Sequence, residues 1–107
     1  NKQPPALADY FAEDASIFMD SSAYRMSGKT NLLLGLTAYM ENTETRSYQM
    51  LEPQVQLLGN TALLTYYFTH TGTSSGKDFS TAGKISVVFV KQGGAWRALH
   101  EHLSVNR

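Results

Sequence analysis

The segment GGAWRALHEHLSV (residues 93–105) joins a diglycine turn to a stretch of alternating side chains. Gly-Gly is typical of a tight β-hairpin turn, so we predict that residues 95–105 form the second arm of a hairpin. Successive side chains on a strand point to opposite faces. Glu101 then lies between Leu99 and Leu103, on the face of Arg97. The opposite face carries Trp96, Ala98, His100, His102 and Ser104.

Three further segments before this one have the composition of long strands. They are residues 46–58, 61–73 and 78–90, and they are joined by Gly59-Asn60 and by the glycine, threonine and serine residues of 72–76. Such short connections make neighbouring strands antiparallel. We therefore predict a four-stranded antiparallel meander in the second half of the chain.

The first half is predicted to contain two helices and two short strands. The helices are residues 4–11, opened by Pro4-Pro5, and residues 29–41, capped by Ser27 and ended at Asn42. The strands are residues 15–19 and 24–26. The second helix carries an apolar stripe at Leu32, Leu33, Leu36, Tyr39 and Met40. Helices followed by a long antiparallel sheet give an α+β fold, with a cavity between the helices and the concave side of the sheet.

Composition restricts the classes of function. The chain has 107 residues, the size of one domain, with nine basic and nine acidic residues and no cysteine. Balanced charge argues against a nucleic-acid surface, and no apolar run approaches the ~20 residues that cross a membrane. No cofactor and no metal are predicted. The sequence indicates no cellular compartment, and the start at Asn1 neither shows nor excludes a removed leader.

Several segments resemble the nuclear transport factor 2-like superfamily. They are Phe18 in the first strand and residues 36–42, 52–60 and 94–104. More narrowly, they are similar to the calcium/calmodulin-dependent protein kinase II association domain and to the SnoaL-like proteins. The resemblance implies a cone-shaped, cystatin-like α+β barrel across the whole chain, with its first helix truncated ahead of Pro4. It also implies a homodimer or larger homo-oligomer and a deep pocket.

The pocket of the kinase association domain is lined by arginines and a histidine. On this chain the corresponding positions are Leu36, Thr69, Val87 and Leu103, none of which is basic. The resemblance therefore implies no anion site of that type. We expect instead a small, largely apolar ligand that carries a polar group.

Glu101 is the candidate catalytic residue, because a carboxylate in an apolar pocket has a raised pKa and can transfer protons near neutral pH. The resemblance implies a tyrosine partner for it, Tyr39 or Tyr67. The predicted ligand-binding residues are Tyr39, Tyr67, Thr69, Arg97, Leu99 and Leu103. The alternative is purely structural, with Glu101 in an ion pair with Arg97 or with Arg25. Arg25 is in turn either a solvated or glutamate-paired residue or a contact for an acidic group of a ligand.

His100 and His102 are close enough on one face to share a metal with His70, but no cysteine or suitable carboxylate completes the set. The resemblance places this face against a partner subunit, so hydrogen bonds across an interface are the favoured interpretation.

Three functions follow from these observations. The first is a small-molecule-binding, oligomerising domain whose pocket uses the face of Thr65, Tyr67 and Thr69 together with Glu101. The second is an isomerase, cyclase or hydratase of the SnoaL-like kind, with Glu101 as general acid or base. The third is an assembly module.

Overall fold

The computed structural model describes residues 9–20 and 22–106, which form a curved, open sheet of six strands with one helix packed against it. The sheet order is β2-β1-β6-β5-β4-β3. The elements are β1 (Phe11–Phe18), β2 (Met26–Ser27), α1 (Lys29–Asn42), β3 (Thr43–Leu58), β4 (Thr61–Ser74), β5 (Lys77–Gln92) and β6 (Ala95–Val105). The predicted α+β class is confirmed.

The predicted antiparallel meander corresponds to β3 through β6, each strand paired with the next. The turns at Gly59 and at Gly93-Gly94 adopt positive φ angles, which glycine tolerates without strain. The sheet then continues past the meander, because β1 pairs in parallel with β6, with Ser16 opposite His100.

The N-terminal elements differ from the sequence-based expectation. The predicted first helix, residues 4–11, lies mostly outside the described residues. Asp9 and Tyr10 are helical, but β1 already begins at Phe11. The extended backbone there places the Phe11 side chain in the hydrophobic core. The second short strand is Met26–Ser27 rather than 24–26.

Helix α1 begins and ends within a residue of its predicted bounds, but its cap is different. Gly28, with φ 90°, is the N-cap residue and provides no side-chain hydrogen bond, while Ser27 belongs to β2. A glycine here allows the chain to turn directly from the strand into the helix. Leu32 of the apolar stripe is buried, and Leu33 and Leu36 pack beside it.

The hydrophobic core lies between α1 and one face of the sheet. We call this the inner face and its opposite the outer face. The buried core residues are Phe11, Ala15, Ile17, Leu32, Phe68, Ile85, Val87 and Ala98. Burying one side chain of the size of Leu32 or Phe68 contributes about 1.5–3 kcal/mol.

A β-bulge in β6 changes the face on which Ala98 lies. Ala98 pairs with Phe89 whereas His100 pairs with Val88, so Leu99 is an extra residue in the strand. Ala98 therefore turns inward and is only 1% exposed. The prediction that Ala98 shares the face of His100 was wrong, because strict alternation does not hold across a bulge.

Gly83 allows close approach of strands at the centre of the sheet. A Cβ atom on this residue would overlap the backbone oxygen of Ser104 and lie 3.0 Å from the ring of Phe68. Because Gly83 has no side chain, the Phe68 ring can occupy this space on the inner face.

Among the described residues, the structure has no helix of the length and apolarity that a membrane crossing requires.

Candidate functional site

Glu101 lies on the inner face of β6, opposite Val87 of β5. It is partly buried, and burial raises the pKa of its carboxyl group. A hydrogen bond from the Tyr10 hydroxyl opposes that rise. A carboxyl group in this environment accepts and returns protons closer to neutral pH than an exposed glutamate does.

Tyr10 lies directly before β1, and its hydroxyl group interacts with Glu101. Its ring makes edge-to-face contacts with Phe11, at 4.9 Å between ring centroids, and with Phe89, at 5.9 Å. Burial, followed by the charge of Glu101, raises the pKa of the Tyr10 hydroxyl. This hydroxyl therefore stays protonated at neutral pH and donates a hydrogen bond.

Tyr66 and Tyr48 extend the arrangement along the inner face. Their hydroxyl oxygens are 3.2 Å apart. Burial is the main cause of the raised pKa of Tyr66, with the Tyr48 hydrogen bond next and smaller effects from Glu101 and Tyr10. Glu101, Tyr10, Tyr66 and Tyr48 thus form one electrostatically linked group, which we call the acid–tyrosine cluster.

The structure separates the predicted site residues into two sets. Tyr67 and Thr69 lie on the outer face, since Tyr67 is opposite Lys84 and the Thr69 hydroxyl contacts Gln49 Oε1 at 3.3 Å. They do not share a pocket with Glu101. The prediction that Tyr67 and Thr69 share a pocket with Glu101 was wrong. The alternation of side chains along a strand separates its two faces but does not indicate which face packs against the helix.

The remaining predicted residues lie near the cluster or at its edge. Leu103 is on the inner face opposite Ile85, and Leu99 is at the bulge. Burial is the main cause of the raised pKa of Tyr39, and Tyr48 contributes to that rise. Tyr39 therefore adjoins the far end of the cluster.

Neither arginine weighed as an ion-pair partner for Glu101 forms that pair in the described part of the chain. Arg97 Nη1 donates to the backbone oxygen of Asp9 at 2.8 Å and lies 3.9 Å from its carboxylate. The Arg25 guanidinium lies 5.7 Å from the centre of the Phe18 ring. The carboxylate is therefore available for chemistry.

Sequence reasoning missed Tyr10, Tyr48 and Tyr66. Tyr48 and Tyr66 lie in predicted strands, and the correct register between β3 and β4 would have placed them close together. No sequence signal brings Tyr10 to Glu101, because that contact joins the two ends of the chain.

The three histidines do not assemble. His70 is on the inner face, where Thr45 Oγ1 lies 2.8 Å from its Nε2 and burial lowers its pKa. His100 is on the outer face, where its Nδ1 lies 2.8 Å from Ser16 Oγ. Within residues 9–20 and 22–106, no three His, Asp or Glu side chains are arranged to hold a metal ion.

The outer face carries an open groove of about 460 Å³ that runs across β3 to β6. It is lined by Glu52, Gln54, Thr65, Tyr67, Lys84, Ser86, His102 and Ser104, and two residues of the inner face, Tyr66 and Ile85, also border it. The acid–tyrosine cluster, where burial raises the pKa of Glu101, is the stronger candidate for chemistry.

Comparison with known proteins identifies relatives by sequence model and by fold. Residues 1–107 match the model of the SnoaL-like domain. A search of curated proteins finds no match.

Solved structures resemble the chain at low identity. A proposed ketosteroid isomerase from Parabacteroides distasonis is 20% identical, with TM-score 0.79 over 100% of this chain and 78% of that protein. A nuclear transport factor 2-like protein from Salmonella enterica is 18% identical, with TM-score 0.79 over 95% of this chain and 82% of its own. A Mycobacterium tuberculosis protein of unknown function is 20% identical, with TM-score 0.78 over 94% of this chain; the chain spans 58% of its length. At these identities the likeness shows the fold alone.

Proposed function

We propose that this chain, which belongs to the SnoaL-like domain family, is an enzyme that transfers protons on a small, largely apolar carbonyl compound bound against the inner face of the sheet. The observation that carries the proposal is the partly buried Glu101 with a raised pKa, beside the tyrosine hydroxyls of the acid–tyrosine cluster. The class of reaction is isomerisation or cyclisation, each of which begins with such a transfer, or hydration, in which the carboxylate takes the proton from the attacking water molecule instead.

Glu101 is the general base in this proposal. Its carboxylate removes a proton from the carbon beside the carbonyl group, and the electron pair of that bond moves onto the carbonyl oxygen. The same carboxyl group then returns the proton to another carbon or oxygen atom. Efficient proton transfer requires a pKa near the working pH, which is the direction of the shift at Glu101.

Tyr66 is proposed to donate a hydrogen bond to the developing oxyanion. Its raised pKa keeps the hydroxyl protonated, and its contact with Tyr48 restricts its orientation before substrate binds. Donors that are already oriented toward developing charge lower the barrier without reorganisation.

The surroundings support an apolar substrate with one polar group. Leu64, Leu103 and Phe89 are partly buried against the core on the side of the cluster. These side chains offer no hydrogen bond, so recognition of polarity is restricted to the carboxyl and hydroxyl groups.

The experiment is exchange of the α-protons of β-tetralone in deuterated water, followed by proton NMR with and without the protein. We expect catalysed exchange in the wild type and about a 10²-fold slower rate in Tyr66→Phe, the usual loss for one oxyanion donor. Tyr67→Phe, one residue along the strand and on the outer face, is the matched control and should keep the wild-type rate. Binding of β-tetralone without exchange would favour the non-catalytic binding domain instead.

We also propose that the chain forms a homodimer or larger homo-oligomer. Strand β3 is at the edge of the sheet, and Met50, Leu51, Val55, Leu57 and Leu58 on it are 41–83% exposed. A long edge strand with exposed apolar side chains favours association.

Light scattering on a size-exclusion column measures this association. We expect at least twice the 11.9 kDa mass of one chain. The paired change Leu57→Lys and Leu58→Lys should yield the monomer, whereas Glu44→Lys on the same strand should not. A wild-type monomer at every concentration would contradict the proposal.

A further inference from the structure

We infer that Arg97 is a positioning residue, which holds Tyr10 against Glu101 by fastening the backbone of Asp9 to β6. The inference rests on the function proposed above, because it assigns Arg97 a part in the same site. Arg97 was predicted from sequence to bind ligand, but its guanidinium is occupied by Asp9.

The bond to the backbone of Asp9 is the important one. A backbone carbonyl group requires a hydrogen-bond donor when it is shielded from water, and a guanidinium group supplies a strong, charge-assisted one. Arg97 Nη1 donates to the Asp9 oxygen at 2.8 Å. The accompanying contact to the Asp9 carboxylate is longer, at 3.9 Å, and that carboxylate is 82% exposed, so it adds little.

Tyr10 follows Asp9 directly, so fixing one residue restricts the next. The Tyr10 ring packs edge-to-face against Phe11 and Phe89, and these contacts restrict its position. Since β6 carries both Arg97 and Glu101, the same strand anchors the backbone before Tyr10 and accepts a hydrogen bond from its hydroxyl. Without Arg97, the ring contacts remain but the backbone of Asp9 loses its attachment to the strand.

The test needs no substrate. Carbon-13 NMR of side-chain carboxyl groups measures the pKa of Glu101, whose resonance among the five glutamates is identified by its loss in Glu101→Gln. Tyr10→Phe should raise the Glu101 pKa, because the hydrogen bond that lowers it is gone. Arg97→Met should raise it in the same direction, and should raise it no further in a chain that already carries Tyr10→Phe.

The double variant separates positioning from direct attraction between charges. If Arg97 acted on Glu101 simply as a positive charge, its removal would raise the pKa equally with or without the Tyr10 hydroxyl. That result would overturn the inference, as would an unchanged pKa in Arg97→Met. Arg46→Met is the matched control, because Arg46 also bonds a carboxylate, Asp78, and a backbone oxygen, that of Gly72. It should leave the Glu101 pKa unchanged.

Exchange of β-tetralone supplies the second measurement. We expect Arg97→Met to lower the rate roughly 10-fold, because a loosely held group loses part of its orientational advantage. A wild type that catalyses no exchange would overturn the proposed function and leave the NMR titration to decide the role of Arg97.

Discussion

Glu101→Gln should lower the rate of β-tetralone α-proton exchange about 10³-fold at neutral pH, within the range that removal of a general base produces. Glutamine has nearly the same shape as glutamate, so it keeps the packing beside Val87 and still accepts a hydrogen bond from Tyr10. It cannot take a proton from carbon. The loss therefore measures the chemistry of the carboxylate rather than its volume.

The matched control is Glu52→Gln, which removes a carboxylate from the exposed strand β3 without touching the inner face. It should exchange β-tetralone at the wild-type rate. Equal rates in wild type and Glu101→Gln would remove the basis for an enzymatic function.

The same variant should be more stable than the wild type at neutral pH. Burial raises the pKa of Glu101 in the folded state above its unfolded value, so the folded state binds the proton more tightly. The stability of the wild type consequently falls as pH rises through the interval between the two values. Urea unfolding should show an advantage for Glu101→Gln at neutral pH that shrinks at a pH below both. A variant that is inactive yet more stable excludes unfolding as the cause of lost activity.

The sequence alone identifies Glu101 as a site residue, but it does not identify the tyrosines that surround it. Glu101 could be identified because leucines flank it at alternate positions and the diglycine turn marks the strand. The choice between Tyr66 and Tyr67 needed information that alternation lacks, namely which face of β4 meets the helix. That choice depends on Phe68, whose neighbour across the sheet is Gly83, a residue that leaves room for its ring.

Two other features depend on contacts distant in sequence. The bulge at Leu99 shifts the pairing of β5 with β6, and no local signal in this segment marks it. Tyr10 reaches Glu101 because β1 lies in parallel beside β6, a pairing between the two ends of the chain. Local propensity predicts the meander well, whereas a site assembled from separate elements requires their register.

Phe68→Ala should lower the free energy of unfolding by about 3–5 kcal/mol, the usual cost of emptying a buried phenylalanine site. Phe68 is 4% exposed, and its ring stacks on Tyr48 at 5.7 Å with the planes 7° apart. A domain of this size has a total stability of about 5–15 kcal/mol, so the loss is a large part of it. Collapse into the cavity is limited because Phe68 lies at the centre of β4, paired on both sides.

This substitution also connects the core with the acid–tyrosine cluster. Tyr48 loses the ring on which it stacks, and with it the fixed position from which its hydroxyl meets that of Tyr66. Urea unfolding measures the stability, and β-tetralone exchange in the absence of urea measures the consequence for the site.

Phe18→Ala is the matched control, because Phe18 is 39% exposed on β1 and its ring meets His100 and His102 rather than the cluster. We expect less than half the loss of stability there and an unchanged exchange rate. Equal losses of stability at the two positions would contradict the assignment of Phe68 to the core, and an unchanged rate in Phe68→Ala would separate Tyr48 from the chemistry of Tyr66.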